Sequence, residues 1–297
     1  SGPSAVTVTY EFDGTSWSQR NTSGTAPVPT SQVACFYDSA RGSIFWVGQT
    51  PAGGAVNQTY ELTGSVWNVR TTAGANVGGP ISGAYRHPGR GLDWVINTGT
   101  VWEITPPTMD WVEFTTNWPI WSSPGRGTFD TNRSVPVGLV TLQNGTVWFA
   151  ELTATSWIVK GQITTPTGFF TGLAYDAHRS VSVAFLSDPK QFAEWNGTTV
   201  TPRSLASGPS GFGSVSYDAT RMTLVLVDST NNSVWELGAY TNQGGTCVVG
   251  AECLSGHCAD GRCCDVPCGG SSTGDCQACS VAAGWRWNAA STTKAAM

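Results

Sequence analysis

Five short apolar runs recur along this chain: Ser43 to Val47, Leu92 to Ile96, Val135 to Val140, Val181 to Leu186 and Thr223 to Val227. They are rich in Val, Ile, Leu and Phe, and turn-forming residues bound them, which predicts short buried strands. Each run follows a polar turn of one type. The copies are Phe36-Tyr37-Asp38-Ser39-Ala40-Arg41, Ala84-Tyr85-Arg86-His87-Pro88-Gly89-Arg90, Thr128-Phe129-Asp130-Thr131-Asn132-Arg133, Ala174-Tyr175-Asp176-Ala177-His178-Arg179 and Ser216-Tyr217-Asp218-Ala219-Thr220-Arg221. An aromatic residue ends one strand, an Asp opens the turn and an Arg closes it. Asp suits this place because its carboxylate accepts nearby backbone N–H groups.

A glutamate returns on a later strand of each unit, at Glu11, Glu61, Glu103, Glu151, Glu194 and Glu236. The gaps are 50, 42, 48, 43 and 42 residues. Periods near this length mark propellers or solenoids. One unit reads: a first strand of small residues, the Asp turn, an apolar second strand, a loop, a third strand with the glutamate, a Gly turn, and a fourth strand. A four-stranded antiparallel unit of this length is a propeller blade. Small residues such as Ser82-Gly83-Ala84 and Gly172-Leu173-Ala174 suit a crowded innermost strand. Trp17, Trp67, Trp111 and Trp157, with Val200 in the fifth copy, follow the turn between the third and fourth strands and are expected to fill the wedge between blades.

The Tyr-Asp-x-x-Arg turn before an apolar strand, and Tyr10-Glu11-Phe12-Asp13-Gly14-Thr15-Ser16-Trp17 after one, resemble the kelch-like and galactose-oxidase-like propeller repeats. The resemblance covers about residues 8–240, although the usual glycine pair after the second strand is reduced to Val47-Gly48 in the first unit. The fold class is therefore all-β, a five-bladed β-propeller, with six blades as the alternative because the sixth glutamate copy complicates closure. A strand from residues 6–19 is expected to complete the last blade as its outer strand.

Composition fits this reading. Charged residues make up 12%, with 36 glycines and 14 tryptophans. A net charge of −5 argues against a nucleic-acid partner, and no apolar run is long enough for a membrane span. Eight of nine cysteines fall between Cys247 and Cys279: Cys247, Cys253, Cys258, Cys263, Cys264, Cys268, Cys276 and Cys279. A dense, even cluster in a short polar segment reads as a disulfide framework, hence an oxidising, secreted or cell-surface setting. Zinc is the competing reading, through Cys276-x-x-Cys279 and His257, but the adjacent Cys263 and Cys264 suit it poorly. The spacing resembles cysteine-rich modules of secreted and surface proteins of myxobacteria, which implies a stalk or interaction role. The domains are then 1–242 propeller, 243–282 disulfide module and 283–297 polar tail.

Candidate chemistry lies where the repeats differ. Glu11, Glu61, Glu103, Glu151, Glu194 and Glu236, with Arg41, Arg90, Arg133, Arg179 and Arg221, recur in every unit and are expected to be structural, since a catalytic pair occurs once per site. Copper of the galactose-oxidase type needs two His and two Tyr. His87, His178 and His257 sit too far apart in the pattern, so no metal and no cofactor is expected. Cys35 reads as a buried apolar residue of a small-residue strand. Asp188 and Asp228 are unrepeated carboxylates in loops and would carry a glycoside hydrolase if there were one. The loops joining one unit to the next vary, and they carry Trp118, Trp121, Phe170 and Phe212. Aromatic faces beside hydroxyls and amides suit sugars or protein side chains. The expected function is non-catalytic recognition of carbohydrate or an extracellular protein through this loop face. The alternatives are a self-assembling structural subunit and a glycoside hydrolase.

Overall fold

The computed structural model describes residues 8–14, 16–28, 33–49, 57–70, 81–87, 91–97, 100–105, 110–114, 123–153, 156–164, 170–186, 188, 190–204, 208–211, 214–228, 230–231, 233–240, 257–259, 262–264 and 284–291. These residues form strands and turns only. Strands β1 (Thr9–Phe12) and β2 (Trp17–Arg20) make a hairpin. Blade 1 comprises the short β3 (Ser23–Gly24), then β4 (Val33–Asp38), β5 (Ser43–Gln49), β6 (Asn57–Thr63) and β7 (Val66–Arg70). Blade 2 comprises β8 (Ile81–His87), β9 (Leu92–Asn97), β10 (Thr100–Thr105) and β11 (Asp110–Phe114). Blade 3 runs through β12 (Ser123–Asp130), β13 (Val135–Thr141), β14 (Val147–Thr153) and β15 (Ser156–Ile163). Blade 4 runs through β16 (Phe170–Asp176), β17 (Val181–Leu186), β18 (Gln191–Trp195) and β19 (Val200–Ser204). Blade 5 has β20 (Ser214–Asp218), β21 (Thr223–Asp228) and β22 (Ser233–Tyr240). The protein is an all-β, five-bladed β-propeller.

The outer strand of blade 5 corrects the expectation that residues 6–19 supply it. Strands β23 (His257–Ala259) and β24 (Arg262–Cys264) form a hairpin within the cysteine-rich segment, with Cys258 opposite Cys263. Strand β25 (Gly284–Ser291) then pairs antiparallel with β22, Trp287 opposite Leu237. The N-terminal strands pair instead with each other. Cys247, Cys253, Cys268, Cys276 and Cys279 lie outside the described residues.

Successive blades from 1 to 5 pack face to face, and a hydrophobic core fills each of these four interfaces. Phe36, Phe45 and Val47 of blade 1 meet Ile81, Val95, Trp102, Ile104 and Trp111 of blade 2. Equivalent cores join blades 2 and 3, 3 and 4, and 4 and 5. The second strands are sandwiched between two such cores: Ala184 faces blade 3 while Val183 and Phe185 face blade 5. That explains their unbroken apolar runs, since a strand buried on both faces loses the alternation of a half-solvated one. Trp111 and Trp157 are buried in these wedges, as expected, and Val200 packs against the core between blades 3 and 4.

The innermost strands approach so closely that side chains would collide. A Cβ placed at Gly83 would lie 2.8 Å from the backbone nitrogen of Gly127 in the next blade. Small residues at this radius are therefore a packing requirement.

Candidate functional site

The five first strands surround a central cavity of about 420 Å³. Its wall takes Cys35 and Tyr37 from blade 1, Ala84 and Arg86 from blade 2, Thr128 from blade 3, Ala174 and Ala177 from blade 4, and Ser216 and Tyr217 from blade 5. Small hydroxyl, thiol and methyl groups line it, with aromatic edges between them. Cys35 faces this cavity and is exposed, which corrects its reading as a buried apolar residue. The mass of blades around it still pushes the thiol up to about 11, so it is a neutral thiol near pH 7.

The turns beside this cavity hold the repeated polar residues. In blade 3, Arg133 Nε donates to Asp130 Oδ2 at 2.7 Å, and Arg133 Nη1 reaches Glu151 Oε1 at 2.5 Å. In blade 4, Arg179 bonds Asp176 at 2.7 Å and Glu194 at 2.6 Å in the same way. In blade 5, Arg221 bonds Asp218 at 2.7 Å and also Glu236. In blade 1, Arg41 bonds Asp38. Each Asp also accepts backbone N–H groups of its own turn, such as Asn132 and Arg133 on Asp130, both at 3.0 Å. Asp38, Asp130, Asp176, Glu151 and Glu194 are buried, and Asp218 and Glu236 are partly so. Each is satisfied by a charge and by N–H donors, the condition under which a buried carboxylate is tolerated. Arg90 lies outside the described residues.

Three features of this array were not read from the sequence. A second arginine stands nine residues after some of the glutamates. Arg20 pairs with Glu11, Arg70 with Glu61, and Arg203 Nε with Glu194 at 3.0 Å. The nine-residue spacing was the available signal. Blade 2 carries Arg86 in place of the turn Asp, and Arg86 crosses to Asp38 of blade 1 at 2.8 Å. Neighbouring blades are also stapled by Trp195 Nε1, which donates to Glu151 Oε1 at 2.8 Å, and by the His178 backbone N–H, which donates to the Tyr217 hydroxyl at 3.1 Å. The tyrosine of one blade thus meets the Asp turn of the blade before it. Burial and the adjacent Asp176 carboxylate push the Tyr217 hydroxyl up, and burial and Asp130 push Tyr175 up to about 12.

The unrepeated carboxylates do not converge. Asp188 is partly buried and pairs weakly with Lys190 at 3.7 Å. Asp228 is buried. Burial alone would raise its carboxyl, but N–H donors from Ser210, Thr230 and Asn231 outweigh this and hold it below the usual carboxylate range. His87 is buried between the rings of Trp94 and Phe129, at 4.7 and 4.5 Å. Among the described residues, no three His, Cys, Asp or Glu side chains gather as metal ligands would. Phe170 opens β16 and packs against the core between blades 3 and 4. Trp118, Trp121 and Phe212 lie outside the described residues.

No protein-family profile matches the chain, and no curated protein matches it. Solved structures do resemble it. A chain of the nidogen/laminin complex is similar with a TM-score of 0.55 and 11% identity, over 74% of this chain and 79% of that one. A catalytically inactive virginiamycin B lyase from Staphylococcus aureus, crystallised with quinupristin, gives 0.52 and 14%, over 72% of this chain and 69% of that one. A streptogramin B lyase gives 0.51 and 12%, over 74% of this chain and 69% of that one. At these identities the likeness is one of fold, and fold does not carry function.

Proposed function

We propose that this protein is a non-catalytic recognition module of the secreted or cell-surface compartment, binding a glycan or a protein through its variable loops and the mouth of the central cavity. One observation supports this most: the carboxylates best placed for chemistry are already engaged. Asp130, Asp176 and Asp218, with Glu151, Glu194 and Glu236, are each held by the arginine of their own blade. An acid or base needs a carboxyl free to exchange a proton with its substrate. The polar groups left on the cavity wall are hydroxyls and a thiol, which suit hydrogen bonding to a neutral ligand. Among the structural relatives, the nidogen/laminin structure is by its title a protein complex. The repeated Asp turns are read as a kelch-like signature, and the cysteine-rich segment as a disulfide module suited to that compartment.

The test is a panel of immobilised glycans and extracellular-matrix proteins, read by surface plasmon resonance. Saturable binding that Thr128→Trp and Ser216→Trp abolish, with the unfolding midpoint unchanged, would bear the reading out. Turnover of any glycan in the panel that is lost in Asp188→Ala would replace it with the hydrolase.

A further inference from the structure

The seam between blade 5 and blade 1 is built differently from the other four interfaces, and the β1–β2 hairpin stands in it. Its position follows from two matching contacts. In blade 4 the Gly-turn residue Gly197, at φ +96°, lies against Arg133 of the preceding blade, where an added Cβ would come within 2.6 Å of Nη1. In the hairpin, Gly14, at φ +101°, lies against Arg221 of blade 5, where an added Cβ would come within 3.3 Å of Nη1. The Arg221 guanidinium also stacks over Phe12 at 5.6 Å. On its other side the hairpin is tied to blade 1, by Trp67 Nε1 to Thr9 Oγ1 at 3.1 Å and by Arg20 Nη2 to the Gly64 carbonyl at 2.7 Å. The hairpin therefore occupies the third- and fourth-strand positions of a blade that would follow blade 5. Among the described residues, no strand pairs with the remaining edge of β1.

Among the described residues no strand stands at the two inner positions of that blade, and the groups beside them are more exposed than their counterparts elsewhere. Tyr37 is 59% exposed, whereas Tyr85 and Tyr175 are 7% and 6%. The Asp218 side chain is 28% exposed, whereas Asp130 and Asp176 are 0% and 1%. Glu11 is 52% exposed and has its fourth-strand arginine, Arg20. Among the described residues it is not paired with a turn arginine such as Glu151, Glu194 and Glu236 receive from their own blades.

We propose that this seam is a docking site for a β-hairpin from a partner polypeptide, one carrying the same aromatic-Asp-x-x-Arg turn. Its second strand adds antiparallel to the open edge of β1, which is strand addition to an unpaired sheet edge. Its arginine bridges its own Asp to Glu11, as Arg133 bridges Asp130 to Glu151. Its aromatic residue reaches the Asp218 turn, as Tyr217 reaches the turn of blade 4. Its Asp turn is met in return by Tyr37. The seam is thus complementary in charge and in hydrogen bonding to one motif, and of the groups it uses Tyr37 also stands in the wall of the central cavity.

The probe is a peptide of residues 170–186 of this chain, which spans one such hairpin, titrated into the full chain by fluorescence anisotropy. Saturable one-to-one binding is expected. Glu11→Gln in the protein, or Arg179→Ala in the peptide, should each weaken it at least tenfold, the loss expected on removing one side of a charged pair (about 1.4 kcal/mol per tenfold). Hydrogen exchange at the β1 amides should slow on addition of the parent peptide. Absence of saturable binding, or binding indifferent to both substitutions, would overturn the proposal. So would a dimer, seen by light scattering, that excludes the peptide, because a second copy would then fill the seam.

Discussion

An arginine that holds two carboxylates at once is the recurrent decision of this chain at the scale of single residues. Arg133, Arg179 and Arg221 each use Nε on the turn Asp and Nη1 on the strand Glu, a division that the planar fork of guanidinium permits and a lysine ammonium does not. The residue after this arginine bears a backbone cost. Gly42 and Gly91 sit there at φ 64° and 67°, but Ser134, Ser180 and Met222 adopt the same left-handed conformation at 55°, 59° and 54°. Side chains with a Cβ are disfavoured in that region. Met222→Gly is therefore expected to raise stability by up to about 1 kcal/mol, measured as a shift in the urea unfolding midpoint. Asp228 gives a second residue-level prediction. Its folded carboxyl titrates lower than in the unfolded chain, so its contribution is present above the ordinary carboxylate range and is lost as pH falls through the lowered value. The melting temperature of Asp228→Asn should lie below that of the parent at neutral pH, and the difference should shrink in acid below the ordinary carboxylate range.

At the scale of the element, the wedge residues carry the packing between sheets. Trp157 is buried among Tyr85, Trp94, Ile96 and Leu152, so its ring spans blades 2 and 3. Trp157→Ala should cost about 3–5 kcal/mol, read by chemical denaturation. Blades were legible in the sequence because each repeat states its strands twice, once as an apolar run and once as a signed turn. The inner wall was legible for the same reason, through its small residues. Arg86 was harder to place. Its unit keeps the aromatic residue and the closing arginine, so the exchanged charge shows its purpose only when Asp38 of the preceding blade lies beside it. Strand β25 was hidden by distance. It pairs with β22 across the whole cysteine-rich segment, and no local pattern in Gly284 to Ser291 names a partner that remote in sequence. The exposure of Cys35 was likewise set by which blades face it, not by its own strand.

For the whole molecule, the ring of blades distributes its polar signature evenly and leaves asymmetry in two places: the loops that vary and the seam that the N-terminal hairpin half fills. Repeated parts serve the scaffold, and departures from the repeat are where a propeller meets its ligands. The lyase and nidogen/laminin structures resemble this fold at 11–14% identity. The strand glutamates have a scaffold role in this ring. Its most direct test is the unfolding free energy, by urea titration, of Glu151→Gln, Glu194→Gln and Glu236→Gln made singly. Each should fall by about 1–3 kcal/mol, since an arginine loses its charged partner in a half-buried setting. Three variants as stable as the parent chain would contradict it.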